Sequence, residues 1–110
     1  MRLARVESLL KQHIATIIQQ KVNNPKIGFI SIVSVSVTKD ISTAHVYYSQ
    51  IGSEEDRKKT YFALKSSAKF IKGELGKLLH LKTTPNLIFK YDPSIERGSN
   101  IISKLNQLSA

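Results

Sequence analysis

The sequence of 110 residues contains no cysteine and no tryptophan, and it has only one methionine. Without cysteine the chain forms no disulfide bond and offers no thiolate ligand to a metal ion. The absence of disulfide bonds is compatible with a reducing compartment. We therefore expect the protein to be cytoplasmic.

Long apolar runs are also absent from the sequence. No stretch approaches the ~20 apolar residues that a membrane-spanning helix requires. The first residues, from Met1 to Glu7, lack the apolar core of a secretory signal and instead begin a helical pattern. The sequence therefore predicts neither insertion into a membrane nor export.

Acidic residues are scarce. Asp and Glu number 8 against 17 Lys and Arg, which gives a formal net charge of +9. A domain this basic usually binds a polyanion, because binding releases the counterions condensed on it. The same charge can also serve only for solubility, and it suits an anionic membrane surface. Among these alternatives we favour a nucleic acid.

The first predicted element is a helix over residues 2–22 with one apolar stripe. The stripe consists of Leu3, Val6, Leu10, Ile14, Ile17 and Ile18. The residues Asn23, Asn24 and Pro25 then favour a turn, so the helix should end there.

Two strands and a tight turn are predicted next. Residues 27–38 and 43–50 are rich in Ile, Val and Tyr, with apolar residues at every second position. The residues expected on the buried faces are Val33, Val35 and Val37 of the first strand and Ala44, Val46 and Tyr48 of the second. The turn between the strands contains Asp40, whose carboxylate can accept local backbone N–H bonds.

A long helix or a pair of helices is predicted from Ser53 to about Leu81, with three acidic residues in the first turn. A third strand alternates Leu87, Phe89 and Tyr91, and Ser94 is a suitable cap for a final short helix. This order predicts a single α+β domain over residues 1–110. Its three-stranded mixed sheet would carry helices on one face, as in the type II KH arrangement.

Two segments carry a resemblance to a known family. They are residues 40–49, DISTAHVYYS, and residues 81–98, LKTTPNLIFKYDPSIERG. Together they resemble the signature of ribosome-binding factor A, a bacterial protein of small-subunit assembly. Further matching positions are Arg5, Val6, Val35, Leu64, Ile71, Glu74 and Leu75.

The resemblance implies a non-enzymatic factor that binds the free small (30S) ribosomal subunit through 16S rRNA. Family members assist late maturation, including processing of the 5′ end of that RNA, and matter most in the cold. The resemblance also implies a type II KH-like fold with a helix–kink–helix, built on an Ala-x-Gly pattern, in place of the GxxG loop. The aligned residues here are Ser67, Ala68 and Lys69, so Lys69 stands where the family has glycine.

One segment matches the GxxG loop with which KH domains hold RNA phosphates: Gly73-Glu74-Leu75-Gly76. A phosphate clamp here would place a carboxylate against phosphate. The alternative is a helix, because Leu75 continues an apolar series at helical spacing. That series consists of Leu64, Ala68, Ile71, Leu75 and Leu78. We favour the helix.

Four lysines are the main candidates for RNA contact. Lys58, Lys65, Lys69 and Lys72 fall on one face of the second helix, without acidic residues between them on that face. The ordinary interpretation of such a face is a solvated surface. The excess of positive charge favours contact with a phosphate backbone instead.

Other basic residues are weaker candidates. Arg2, Arg5 and Lys11 of the first helix are predicted to extend the RNA-binding surface, although Arg5 can equally form an ion pair at the helix end. Lys82 and Lys90 are still weaker candidates for RNA contact. Tyr47 is predicted to lie on the sheet face away from the core, where it either stacks on a base or has no ligand.

No constellation for chemistry is found. His13, His45 and His80 are scattered, and no serine stands in a nucleophile motif, so we expect neither a metal nor a cofactor nor catalysis. The alternatives to ribosome assembly are a general single-strand RNA-binding KH module and a module for protein or membrane-surface binding. We expect a monomer, because the sequence has no obvious second apolar stripe.

Overall fold

The structure, a computed structural model, describes residues 2–80 and 83–93. Its elements are α1 (Arg2–Gln20), β1 (Ile30–Val37), β2 (Thr43–Gln50), α2 (Glu54–Leu79) and β3 (Asn86–Tyr91). The predicted order of helices and strands is confirmed over this range. The short helix predicted after Ser94 lies outside the described residues.

The connection between α1 and β1 is longer than the sequence predicts. The side chain of Asn24 accepts a hydrogen bond from the Lys26 amide at 3.0 Å, and its backbone carbonyl accepts one from the Ile27 amide at 3.1 Å. These bonds hold a turn of the kind that asparagine favours. As a result β1 begins at Ile30 rather than at Ile27.

The hairpin turn between β1 and β2 is built around Asp40, as predicted. Its Oδ1 atom accepts hydrogen bonds from the Thr38 hydroxyl at 2.8 Å, the Ser42 hydroxyl at 2.8 Å and the Ser42 amide at 3.1 Å. The Ser42 hydroxyl is the main cause that lowers the pKa of Asp40 below its ordinary value, because these bonds favour the ionised carboxylate. Asp40 therefore has a structural role.

A β-bulge corrects the predicted core face of β1. Ile32 pairs with Tyr48, but Ser34 pairs with Tyr47, so Val33 has no partner of its own. One extra residue reverses which side chains face the core. The core side of β1 therefore holds Ile30 and Ile32 before the bulge and Val35 and Val37 after it, and the assignment of Val33 to that face was wrong.

The sheet is mixed, as predicted. Strand β2 lies in the centre, antiparallel to β1 and parallel to β3, with the order β1-β2-β3. Ala44, Val46 and Tyr48 of β2 are all fully buried in the core. Both helices pack against this core, and the carboxylate of Glu7 in α1 accepts a hydrogen bond from the amide of Val37 at 2.8 Å.

Helix α2 begins with a capping box. The Ser53 hydroxyl accepts a hydrogen bond from the Asp56 amide at 3.1 Å, and the Asp56 carboxylate accepts one from the Ser53 amide at 3.2 Å. The helix then continues through Ser67 and Lys69 without interruption to Leu79. The division into two helices that the resemblance implies is therefore not found between Glu54 and Leu79. Lysine in place of glycine favours the continuous helix by about 1 kcal/mol.

Candidate nucleic-acid interface

Four lysines of α2 lie along one face of the helix. We call Lys58, Lys65, Lys69 and Lys72 the lysine stripe. Because each helical residue turns by about 100°, the four positions fall within about 60° of one another. Three of them are exposed, and Lys72 is half-buried. The continuous helix thus brings together all four residues that the sequence singles out on this element.

The positive charge of the lysine stripe is uncompensated. Within the described residues, none of its ammonium groups has a carboxylate within 4.0 Å. Lys72 donates a hydrogen bond to the side-chain oxygen of Asn86, at the start of β3, at 2.8 Å. That amide oxygen is neutral and uses one of the three ammonium donors, so Lys72 can still bind an anion.

The basic residues of α1 do not form a second stripe. Arg5 and Lys11 are both exposed, but their positions differ by about 120° around the helix axis. Arg2 is the first residue of α1. The structure therefore places these three candidates on the same helix without gathering them on one face.

The remaining basic candidates lie elsewhere. Lys82 is outside the described residues. Lys90 is exposed on β3, opposite Tyr47 of β2 in the parallel register. Both lie on the sheet face away from the helices, where the sequence predicts Tyr47 to lie. This face is separate from the lysine stripe, which lies on α2.

The GxxG segment is part of α2. Residues 73–76 are helical, so their backbone amides face the preceding turn of the helix and cannot cradle a phosphate. Leu75 is fully buried in the core, as expected from the apolar series. A Cβ atom at Gly76 would lie 3.0 Å from the Thr84 hydroxyl, which gives this glycine a packing role. The phosphate clamp is therefore ruled out in favour of the helix.

The ion pairs of Glu74 also argue against a phosphate clamp at residues 73–76. Its carboxylate lies 3.0 Å from the Lys21 ammonium and 3.5 Å from the Lys77 ammonium. The hydrogen bond from Lys21 is the main cause that lowers the pKa of Glu74. The segment thus joins α2 to the end of α1 through a carboxylate that stays ionised at neutral pH.

One member of the predicted apolar series is not in the core. Leu64 and Ile71 are fully buried, and Ala68 packs at the edge of the core, but Leu78 is 46% exposed. A helix turns by about 100° per residue, so Leu78 falls at the margin of the stripe. Leu78 therefore continues the series without being buried.

An aromatic cluster that was not predicted from the sequence lies beside the lysine stripe. Tyr61 and Phe62 of α2 are 38% and 64% exposed, and their ring centroids lie 5.4 Å apart. Together with Tyr48 and Tyr91 they line a depression of about 340 Å³ next to Lys58. The sequence signal was a pair of adjacent aromatic residues close to the first lysine, within an otherwise polar helix segment.

Neither a metal site nor a membrane span is found in the described residues. Nowhere in residues 2–80 and 83–93 do three His, Asp or Glu side chains form a group that could hold a metal ion. No helix in this range combines the length and the apolar character that crossing a bilayer requires.

Comparison with known proteins identifies the family. A family model described as ribosome-binding factor A matches residues 2–105, nearly the whole chain. The chain belongs to the ribosome-binding factor A family. This finding agrees with the resemblance carried by residues 40–49 and 81–98.

Individual members of the ribosome-binding factor A family support the assignment. The protein of that name from Carboxydothermus hydrogenoformans is 42% identical over 94% of this chain and 83% of its own length. The solution structure of a putative ribosome binding factor A from Thermotoga maritima has a TM-score of 0.73 at 30% identity, covering 81% of this chain and 85% of that one.

A third relative supports the fold. A homology model of Thermus thermophilus RbfA, fitted into a cryo-EM map of a 30S–RbfA complex, has a TM-score of 0.68 at 24% identity. The likeness covers 83% of this chain and 96% of that chain. At this identity it shows a shared fold.

Lys69 gives a first prediction, because it stands where the family pattern has glycine. We expect Lys69→Gly to lower the free energy of unfolding by about 1 kcal/mol more than Lys69→Ala, since glycine weakens a helix interior. Both variants should reduce the salt slope of RNA binding equally, by about 0.7–0.9, if the ammonium contacts a phosphate. Urea unfolding and binding at several salt concentrations measure the two effects. Equal stability of the two variants would contradict a rigid helix at residue 69.

Proposed function

We propose that this protein binds the free small ribosomal subunit through 16S rRNA and assists its late maturation. The assistance includes processing of the 5′ end of that RNA and matters most at low temperature. The single observation that carries the proposal is the uncompensated lysine stripe on a member of a ribosome-binding family. The Thermus thermophilus relative is described in a complex with 30S, and we propose the same partner here.

The lysine stripe suits a nucleic-acid backbone in its dimensions. From Lys58 to Lys72 it extends ~21 Å along α2, at a rise of ~1.5 Å per residue. Phosphate groups repeat at short intervals along RNA, so one strand can meet several ammonium groups in turn. Each contact releases a counterion and adds to the affinity without reading the base sequence.

We propose that the protein acts by binding alone, as a monomer in the cytoplasm. Charge and aromatic surface lie on α2, and these features support RNA recognition rather than a reaction. On this view the protein holds a folded region of the rRNA until maturation of that region is complete. The GxxG segment lies inside α2, which counts against a general single-strand RNA-binding KH module.

Sedimentation of cell extract through a sucrose gradient tests the proposal. At low salt we expect the protein to travel with free small subunits and to be scarce in fractions that contain complete ribosomes. Raising the salt should move it to the top of the gradient, because the contacts are electrostatic. Recovery only at the top of the gradient at low salt would refute the assembly function.

A further inference from the structure

A depression of about 340 Å³ lies between the N-terminal half of α2 and the ends of β2 and β3. Its lining is mainly apolar and aromatic. The rings come from three elements: Tyr61 and Phe62 from α2, Tyr48 from β2 and Tyr91 from β3. Tyr48 and Tyr91 are paired in the parallel register, so the sheet itself sets their spacing. The volume lies near the lower end of the ~300–1,000 Å³ that is typical of small-molecule sites.

The rings leave room for a stacking partner. Tyr48 meets Tyr91 edge to face, with ring centroids 6.0 Å apart and planes inclined at 65°. Tyr61 meets Phe62 in the same manner, at 5.4 Å and 73°. Tyr48 is fully buried, but Tyr61 and Phe62 are 38% and 64% exposed, so the rings of these two residues remain accessible. An aromatic face in this position can take a nucleobase, because every base has a flat π-surface.

Positive charge borders the same depression. The guanidinium carbon of Arg57 lies 5.3 Å from the centre of the Tyr91 ring and adds a cation–π contact. Lys58, the first residue of the lysine stripe, is also part of the lining. Glu54 supplies a carboxylate at the edge, which can accept a hydrogen bond from an exocyclic amine of a base. The charge around the aromatic rings thus matches a nucleotide.

From these contacts we infer that the depression binds one unpaired base of RNA, with the neighbouring phosphates lying along the lysine stripe. The inference rests on the proposed function, since the RNA would be that of the small subunit. Single-stranded RNA is typically recognised by bases that stack on aromatic side chains beside a basic groove. An apolar segment of a protein would use the rings but gain nothing from Lys58 and the stripe. The base is therefore the better occupant.

Phe62→Ala tests the inference, and Phe70→Ala is its matched control. Both residues are exposed on α2, at 64% and 47%, but only Phe62 lines the depression. We expect Phe62→Ala to weaken binding to purified small subunits by roughly 5- to 150-fold, the effect of one lost stacking contact. The slope of log affinity against log salt should not change, because no charge is removed. Phe70→Ala should bind like the unaltered protein.

Chemical probing of the bound rRNA identifies the occupant. Dimethyl sulfate and a carbodiimide together modify the pairing edges of all four unpaired bases. We expect one unpaired base to be protected by the unaltered protein and by Phe70→Ala, but not by Phe62→Ala at saturating concentration. If Phe62→Ala binds more weakly but no base loses its protection in that variant, Phe62 contacts a protein, and the inference is overturned. Equal affinity of Phe62→Ala and the unaltered protein would overturn it as well. If the unaltered protein itself does not bind small subunits, the proposed function fails first.

Discussion

Replacing Leu75 by alanine is expected to lower the free energy of unfolding by about 2–5 kcal/mol. Leu75 is fully buried in the core, and its removal leaves a cavity that the neighbouring side chains fill only in part. A small domain has a total stability of about 5–15 kcal/mol, so the variant should still fold at low temperature. Urea unfolding, followed by circular dichroism, measures the loss.

Leu78→Ala is the matched control for this experiment. Leu78 is the same residue type in the same helix but is 46% exposed, so its replacement should cost well under half as much. At a temperature where Leu75→Ala is folded, the affinity of the Leu75→Ala variant for small subunits should equal that of the unaltered protein. A Leu75→Ala variant with full stability and lost RNA affinity would instead restore the phosphate clamp at residues 73–76.

Glu74→Lys distinguishes an effect of added positive charge from a phosphate clamp at residues 73–76. The change breaks the ion pair with Lys21 and adds a positive charge, yet the backbone amides of residues 73–76 stay within the helix. We therefore expect no strong binding of short RNA oligonucleotides. Fluorescence anisotropy with labelled oligonucleotides measures this, and tight binding by the variant would show that the segment can open into a loop.

The helices, the strands and the lysine stripe could be predicted because all of them depend on local periodicity in the sequence. The stripe needs only the helical repeat, and a continuous α2 makes that repeat reliable over residues 58–72. The buried face of β2 was predicted for the same reason, with Ala44, Val46 and Tyr48 at every second position. These features needed no knowledge of the tertiary fold.

The errors and omissions have tertiary causes. The bulge at Val33 is defined by the pairing with β2, and a regular alternation in the sequence gives no sign of it. Thr60 is buried, and its hydroxyl accepts hydrogen bonds from the Gln50 side chain at 2.8 Å and from the Gly28 amide at 3.2 Å. Residues so far apart in sequence meet only once the sheet and α2 are packed.

The aromatic depression escaped prediction for the same reason. Tyr48 and Tyr91 become neighbours through the parallel pairing of β2 with β3, and α2 then brings Tyr61 and Phe62 beside them. In the sequence, Tyr48 was accounted for as a core residue and Tyr91 as part of a strand. Neither assignment was wrong, but neither indicated that a concave surface lies between them.

Replacing all four residues of the lysine stripe by glutamine is expected to weaken binding to the small subunit and to flatten its dependence on salt. Each neutralised phosphate contributes about 0.7–0.9 to the slope of log affinity against log salt, so four lost contacts reduce the slope by roughly 3. A fourfold increase in salt should then cost the unaltered protein roughly 60-fold more affinity than the variant. Stability should change by only about 0.5 kcal/mol for each exposed position.

A second quadruple variant distinguishes position from net charge. Lys26, Lys39, Lys59 and Lys77 are exposed and lie outside the stripe, and replacing them by glutamine lowers the net charge equally, from +9 to +5. If the stripe forms the contact, this control keeps most of the affinity and nearly all of the slope of log affinity against log salt. Charges distant from the RNA act only through long-range attraction, and salt screens that attraction. Equal losses in the two variants would mean that the protein is held by its overall charge. An unaltered slope in the stripe variant would remove the lysine stripe from the interface, because four cations that neutralise phosphates cannot be lost without releasing fewer counterions.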